Sequence, residues 1–367
     1  MELCVERMGA GAEGRRVTND RLKIGVVGLG WVGTHRHIPI LKSSDDFEVV
    51  GVADRNPDRV AAFSETNAGL KTSSASRLAD LSWIGEVDAV SIATAPFAHH
   101  DLVCEALERG LSVITEKPFA MSFGEGQAMA AAAAKSSGTL AVVHNFQFAR
   151  SMAKLERDLK SGRLGEIRAV RAVQLGNPER RLPTWIDQLP LGLFYDESPH
   201  LLYLLARIAG PIDLAKAVIV ESRDGAATPS QVDAWFRSPA GYPVSLSCSF
   251  EATVSEWYLI VHGDQGVGIV DIFRDIYVRL PNDGRHSTTQ VVRTSALATW
   301  QHWAQHFSSG ALHVTGRLKY GNDKVLARFA AGVRGDAETL RPIDATSALG
   351  TLALQHQVIE HAERLSL

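Results

Sequence analysis

The stretch KIGVVGLGWVG, residues 23–33, constrains the fold more than any other part of the chain. An aliphatic run breaks at Gly28, and Gly30 and Gly33 follow in the spacing G-x-G-x-x-G just as a helical pattern begins. Each glycine answers a steric demand. The first permits a tight turn, the second lets a pyrophosphate approach the backbone, and the third lets the helix pack closely on the strand. The unpaired N–H groups and partial positive charge of the helix start then face the phosphates. In a chain with 31 glycines the triplet alone is weak evidence. Its context strengthens it, because Asp54 closes the next aliphatic run 21 residues after Gly33, where an acid accepts from ribose hydroxyls.

The residues Gly28, Leu29, Gly30, Trp31, Val32, Gly33, Asp54 and Arg55 are therefore the expected cradle of a dinucleotide. A carboxylate at Asp54 would repel a 2′-phosphate, which favours NAD. Arg55 and Arg59 follow it directly and keep NADP open, since a guanidinium can lie over adenine or meet that phosphate.

Short aliphatic runs continue to alternate with helical segments: FEVVGVAD, PDRVAAFSETN, VDAVSIAT, HHDLVCEALERG, LSVITEKP and LAVVHNF. That alternation implies a parallel sheet wrapped by helices. Ser122 and Glu125 form an expected capping box, so the Ala run at 130–134 reads as helix. Past Phe146 the grammar changes to strands, GVGIVDIFRDIYVRL read as a single one among them, joined by turn-like SPAGYP and GDQG, the pattern of an antiparallel sheet. Further helices are expected near 150–162, 199–209, 298–308, 322–335 and 345–364. The expected fold is α/β, with a loose extension at 1–21, a nucleotide-type domain at 22–146 and a sheet-plus-helices domain at 147–367.

The 367 residues, 45% of them hydrophobic, are enough for two cores. A formal charge of −3 lacks the basic excess that would point to nucleic acid or an anionic membrane. Cys4, Cys104 and Cys248 lie too far apart for a C-x-x-C site, which fits reduced thiols in a cytoplasmic protein. No signal-peptide or membrane-spanning run is expected.

The succession GVVGLGWVG, VADRNPDR, SIATAPFAHHDLVCEALERGLSVITEKPFA, HNFQF, SGRLGEI and DESPHLL resembles the Gfo/Idh/MocA oxidoreductases. The resemblance implies a Rossmann domain followed by an α+β domain on a large, mainly antiparallel open sheet. It implies a homodimer or homotetramer formed through that sheet, and a sugar, polyol or sugar-derived substrate oxidised or reduced at a carbinol carbon. Glu116, Lys117 and Pro118 match the family's E-K-P, whose lysine sits beside nicotinamide and the reacting oxygen, and the Lys117–Pro118 bond is then expected to be cis. Asp196 and His200 match D-x-x-x-H. Thr94, Pro96 and His100 match contacts near the cofactor, and Asn145 an asparagine at the end of the sixth strand. Phe97, Gln147, Ile186 and Ser198 depart from the family pattern on the substrate side.

Hydride transfer at a carbinol carbon needs a group that takes or gives the hydroxyl proton. His200 suits that role by its near-neutral pKa, while Lys117 would hold the oxygen through a charge-assisted hydrogen bond. Desolvation and the cationic oxidised nicotinamide should both depress the Lys117 pKa, so that it could share the proton transfer. Asp196 lies four residues before His200, on one face if the helix is continuous. Pro199 also allows a helix that begins at Ser198 and leaves Asp196 in a loop. Gln147, Trp185, Tyr195, Asp196 and His200 are the candidate substrate contacts. No metal site is expected: His302 and His306 have helical ligand spacing but no third ligand. His35 and His37 read as helix surface, and WQHWAQHF, 300–307, as a helix that buries its aromatic side.

Two other functions fit the same motifs. An NAD-dependent glycosidase would oxidise its substrate transiently, and a dinucleotide-binding regulator would not turn over. A regulator has little reason to keep Lys117, Asp196 and His200 together.

Overall fold

The computed structural model describes residues 21–180 and 182–366. Of the expected N-terminal extension, residues 1–20 lie outside the described residues.

The first sheet has six parallel strands: β1 (Leu22–Val27), β2 (Phe47–Asp54), β3 (Lys71–Ser74), β4 (Ala89–Ile92), β5 (Ser112–Thr115) and β6 (Leu140–Val142). Their order is β3-β2-β1-β4-β5-β6, so the direction of winding reverses between β1 and β4. The C-terminal ends of these two strands open a crevice at the reversal, where sheets of this kind bind ligands. A π-helical turn at Gly33–His37 leads into α1 (Ile38–Lys42), and α2 (Pro57–Thr66), α3 (His99–Glu108) and α4 (Phe123–Lys135) follow. The Ser122 hydroxyl accepts the Glu125 N–H at 3.1 Å, and the Glu125 carboxylate reaches back to the Met121 N–H at 2.9 Å, which fixes the start of α4.

Next come α5 (Arg150–Lys160), β7 (Ile167–Leu175), α6 (Leu193–Ala209), β8 (Asp213–Val220), β9 (Gln231–Arg237), β10 (Pro243–Ser249), β11 (Glu256–Gly263), β12 (Gly266–Asp271) and β13 (Ile276–Pro281). The chain closes with α7 (Thr288–Val314), α8 (Asn322–Val333), α9 (Ala337–Leu340), α10 (Ala345–His361) and β14 (Glu363–Leu365). The eight-stranded sheet runs β13-β12-β11-β7-β10-β9-β8-β14. Its pairs are antiparallel except β7 with β10 and β8 with β14. Strand alternation sets its faces: in β10, Val244, Leu246 and Cys248 are buried, while Ser245, Ser247 and Ser249 turn outward.

Three local expectations change. GVGIVDIFRDIYVRL is two strands, β12 and β13, joined by a turn in which Asp275 takes φ +52°. Helix α7 is 27 residues long, extending beyond 298–308 at both ends. The C-terminal helices also return to the first sheet. The Phe329 ring of α8 stacks on Phe47 of β2 at 6.4 Å, and Val325 and Leu326 join the core cluster of Ile24 and Val26. The division at 146/147 follows the chain, whereas this packing crosses it.

Helix α6 runs through Pro199 instead of starting there. Proline has no N–H, so the Tyr195 carbonyl four residues earlier loses its helical donor. Gln355 of α10, fully buried, supplies one: its Nε2 donates to the Tyr195 carbonyl at 2.7 Å and to the Ser198 hydroxyl at 2.9 Å. This replacement keeps Asp196 and His200 on one continuous helical face.

Candidate active site

The glycine loop leaves β1 at the crevice. Gly28 has φ +107°, and a Cβ there would lie 2.5 Å from the Ala93 carbonyl oxygen. A Cβ on Gly33 would lie 2.0 Å from the Gly28 carbonyl oxygen, so backbone packing itself requires glycine. Among the described residues, a Cβ on Gly30 would meet nothing within 4 Å. Asp54 is buried at the end of β2, where one carboxylate oxygen accepts the Leu29 N–H at 2.7 Å and the other the Asn56 N–H at 2.8 Å. These bonds pin the carboxylate against the glycine loop, and the Arg59 guanidinium stands 3.6 Å from the oxygen that accepts from Leu29. At the end of β4 the Thr94 hydroxyl is buried with no partner among the described residues. An open backbone edge at Gly30, a pinned acid and an orphaned hydroxyl fit a dinucleotide.

This fit predicts that two alanine variants diverge. Gly30→Ala should melt within about 2 °C of wild type yet bind NADH at least about tenfold more weakly, because its methyl fills only the space left for the ligand. Gly33→Ala should lower the melting temperature by more than about 4 °C, since backbone atoms must move. Thermal melts and fluorescence titration with NADH check both.

Strand β5 delivers Glu116 and Lys117 to the same edge, followed by a cis Lys117–Pro118 peptide. Lys117 Nζ donates to Asp196 Oδ1 at 2.8 Å and to the Asp196 carbonyl at 3.1 Å. Burial pulls the Lys117 pKa down, but the Asp196 charge and hydrogen bond, helped by Glu116 and Glu197, reverse this and raise it above the ordinary lysine value. The expected depression is therefore corrected: in this setting Lys117 is an ammonium donor. Beneath it, Glu116 accepts from His37 Nε2 at 2.8 Å and from the Lys117 backbone N–H at 3.2 Å. Burial pushes the Glu116 carboxyl up, yet His37 and Lys117 outweigh it and leave the pKa lowered.

His200 lies one turn beyond Asp196, with its ring edge-on to Phe146 at 4.7 Å and close to Trp257 at 5.6 Å. Burial, then the Lys117 charge and His144, hold its pKa well below the ordinary histidine value, so the imidazole is neutral. Its Nδ1 is 2.9 Å from the Tyr203 hydroxyl, which also accepts the Phe146 N–H at 3.0 Å. The buried Tyr203 O–H has Nδ1 as its acceptor among the described residues, and donating there leaves the histidine proton on Nε2. Tyr203 stays protonated because burial pushes its pKa well up. His144 stacks on the Tyr203 ring at 4.4 Å and is itself pushed down to about 3 by burial.

Several expected contacts point elsewhere. His100 faces outward, its Nδ1 2.8 Å from Asp101, whereas the neighbouring His99 is fully buried and bridges the Pro118 carbonyl at 2.8 Å and the Thr94 carbonyl at 3.2 Å. At the start of α3 one residue is about 100° of rotation, so His99 takes the inward place. Tyr195 is buried, and its hydroxyl donates to the Ala120 carbonyl at 2.8 Å instead of lining a pocket. The Gln147 amide is held by the His144 and Pro342 carbonyls at 3.0 Å, and the Asn145 amide donates to the Tyr320 carbonyl at 3.0 Å. Trp185 stands edge-on to Phe97 at 6.3 Å, linking the loop after β4 to the second domain. Among the loop residues, Trp31 is exposed and stacks on His35 at 5.3 Å. Pro96 is buried, Val32 partly so, and Arg55 exposed.

The reading from residues missed more than His99. His37, expected on the surface, is buried between Ser91 at 2.6 Å and Glu116 at 2.8 Å. Glu197, beside Asp196, is held by Gln174 and Arg180, and burial, aided by Asp196, raises its pKa to about 7. Tyr203 had one available signal, its place three residues after His200 on a helix. His302 and His306 are exposed with rings 6.5 Å apart.

Residues 22–144 match the model of an oxidoreductase family with an NAD-binding Rossmann fold, and residues 152–268 match the GFO/IDH/MocA C-terminal domain. A UDP-kanosamine synthase oxidoreductase subunit of Amycolatopsis mediterranei (strain S699), a name given provisionally, is 32% identical over 209 residues, covering 55% of this chain and 56% of the relative. D-glucoside 3-dehydrogenase of Escherichia coli (strain K12) is 28% identical over 153 residues, covering 41% of this chain and 42% of the relative. The chain thus spans about half the length of these curated relatives. In fold it is similar to the WlbA dehydrogenase of Bordetella pertussis, solved with NADH and UDP-GlcNAcA, with a TM-score of 0.77, 20% identity, and coverage of 94% of this chain and 96% of that one. The two models together take in the first sheet and most of the second, more than half of the chain, and the chain belongs to the GFO/IDH/MocA oxidoreductase family.

Proposed function

We propose that this chain transfers a hydride between NAD and a carbinol or carbonyl carbon of a sugar derivative. One observation carries the reading: the Lys117 ammonium, braced by Asp196 at 2.8 Å, stands at the end of β5 on the edge that also presents the glycine loop. Gly28 to Gly33, Asp54 and Thr94 would hold the cofactor, whose nicotinamide supplies or accepts the hydride. Asp54 favours NAD over NADP because its pinned carboxylate opposes a 2′-phosphate.

Both reactive side chains rest as donors. Lys117 is charged, and His200 carries its proton on Nε2. Two donors directed at one oxygen polarise a carbonyl and stabilise the alkoxide that forms when its carbon is reduced. Lys117 then gives up the proton that makes the hydroxyl, while His200 keeps the oxygen in line. In the opposite direction Lys117 must first lose its proton, which Asp196 resists. The resting site is accordingly protonated for the proton-donating half, carbonyl reduction. Phe97 and Trp185 offer aromatic faces suited to a sugar ring, and the relatives named for a glucoside and a UDP-sugar pathway point to a pyranose substrate.

The test is an assay of keto sugars, aldoses, polyols and nitrophenyl glycosides with both cofactors, followed at 340 nm and, for the glycosides, at the nitrophenol band. Stoichiometric loss of NADH with a keto sugar supports the reading. Glycoside cleavage without net change at 340 nm would replace it with the transient-oxidation glycosidase.

A further inference from the structure

Arg36, three residues past Gly33, is fixed by two rings and a carbonyl. Its guanidinium carbon lies 5.2 Å from the Trp31 ring and 5.7 Å from the Tyr320 ring, and Nη1 donates to the Leu318 carbonyl at 3.4 Å. Among the described residues it has no other hydrogen-bond partner and pairs with no carboxylate. The rings set the plane of the guanidinium and leave its Nε and Nη2 donors for a ligand. Both rings are themselves braced. Trp31 stacks on His35 at 5.3 Å, and the Tyr320 hydroxyl donates to the Phe273 carbonyl at 2.9 Å. Tyr320 takes φ +51°, a left-handed conformation that a bulky residue adopts only where its surroundings impose it.

The segment that carries Tyr320 adds to the charge. RLKYGNDK, 317–324, holds Arg317, Lys319 and Lys324 against one acid, Asp323. All three cations are exposed, and among the described residues none of them is ion-paired. In a chain of net charge −3, this rim is a local positive excess whose self-repulsion an anion would relieve. Its place favours the substrate over the cofactor. A glycine loop meets a pyrophosphate with backbone N–H groups, which require no side-chain cation. Arg36 turns from that loop toward the second domain, and beyond Tyr320 the rings continue to Phe146 at 5.8 Å and from Phe146 to His200 at 4.7 Å. Two rings thus separate Arg36 from His200, a span on the order of 10 Å. That exceeds a pyranose ring and suits a sugar whose anionic group lies outside the ring.

We propose that Arg36, held between Trp31 and Tyr320, binds a phosphate that the sugar substrate carries outside its ring, with Arg317 and Lys319 strengthening the attraction. That the phosphate belongs to a substrate rests on the hydride transfer proposed above, whereas phosphate binding itself is measured without turnover. Isothermal titration calorimetry of the NADH-saturated chain with inorganic pyrophosphate should give a dissociation constant below about 1 mM. Saturation with NADH closes the cofactor's own phosphate cradle to the probe. Arg36→Met should weaken pyrophosphate at least about tenfold, with NADH affinity within about threefold of wild type. Where that variant melts more than about 4 °C below wild type, Arg317→Gln/Lys319→Gln, at exposed positions, decides instead and should weaken pyrophosphate at least about threefold. Lys135→Met, an exposed cation of α4, should leave the constant unchanged. Among sugars offered free and as their phosphates, the phosphate should have the higher kcat/KM, and Arg36→Met should remove at least about tenfold of that preference. If no sugar turns over, the hydride transfer fails and the pyrophosphate constants still decide the site. Absence of pyrophosphate binding to the NADH complex, equal binding by Arg36→Met, a loss confined to NADH affinity, or preference for the free sugar overturns the proposal.

Discussion

Lys117→Met is expected to lower turnover at pH 7 at least about 10³-fold while NADH binds within a few-fold of wild type. Methionine preserves the stem of the side chain and removes the charge that meets the reacting oxygen. It also removes the partner of the Asp196 carboxylate, which is only 16% exposed and would be left as an uncompensated charge. Lys117→Arg retains the charge, yet its planar fork cannot reproduce a single ammonium donor braced by Asp196 at 2.8 Å, and it should not restore the rate. Single-turnover rates at 340 nm, with NADH affinity measured separately, distinguish loss of chemistry from loss of binding. Activity within tenfold of wild type would remove Lys117 from the reacting centre.

His200→Ala should cost about 10²–10³ in kcat, and the pH profile identifies the reason. An ordinary histidine titrates near pH 6.5 and would impose a limb there on either direction of reaction. Burial and the Lys117 charge lower the His200 pKa well below that, so it stays neutral and keeps its donor proton. Carbonyl reduction should therefore carry no His200 limb across pH 6–8, leaving Glu197, raised to about 7, as the neighbouring group that titrates there. Alcohol oxidation should keep rising with pH beyond the range in which a histidine base would level off, because the raised Lys117 pKa governs it. Tyr203→Phe tests the tautomer by itself: without the hydroxyl that donates to Nδ1, the proton is free to move between the ring nitrogens. The variant should lose about tenfold in kcat with little change in KM, and ¹⁵N spectra should shift from the Nε2–H form toward a mixture.

The first domain was legible because its function imposes local rules. Gly28 and Gly33 are required by carbonyl oxygens a few ångströms away, and Asp54 sits a fixed distance down the chain. Such constraints leave spacing behind. The E-K-P and D-x-x-x-H residues were singled out by the family resemblance alone, and Lys117 and Asp196 lie 2.8 Å apart with His200 one helical turn beyond. What sequence did not disclose depends on partners far along the chain. Pro199 looks like a helix start until Gln355, 156 residues later, supplies the missing donor. His37 reads as surface until β5 carries Glu116 under it.

Periodicity failed where its usual premise failed. Tryptophans at three-residue spacing normally mark the buried side of a helix, but Trp300, Trp303 and Phe307 of α7 are exposed. Its polar side has the stronger claim on the protein, since Gln301 and Gln305 hydrogen-bond the edge of β13, which needs partners. The turn between β12 and β13 escaped notice because DIFRD contains neither glycine nor proline and Asp275 supplies the positive φ. His99 and His100 differ by one position, and only the side facing Thr94 and Pro118 tells them apart.

The most direct measurement follows a labelled hydride. NADH carrying deuterium at both C4 positions of the nicotinamide, supplied in slight excess with a 3-keto glucoside at pH 7, should give one deuterium on the new carbinol carbon by ²H NMR, as fast as absorbance at 340 nm falls. In Lys117→Met the label should remain on the cofactor. Product without the label at that carbon, or deuterium transfer at an undiminished rate in Lys117→Met, would contradict hydride transfer at a carbonyl held by Lys117.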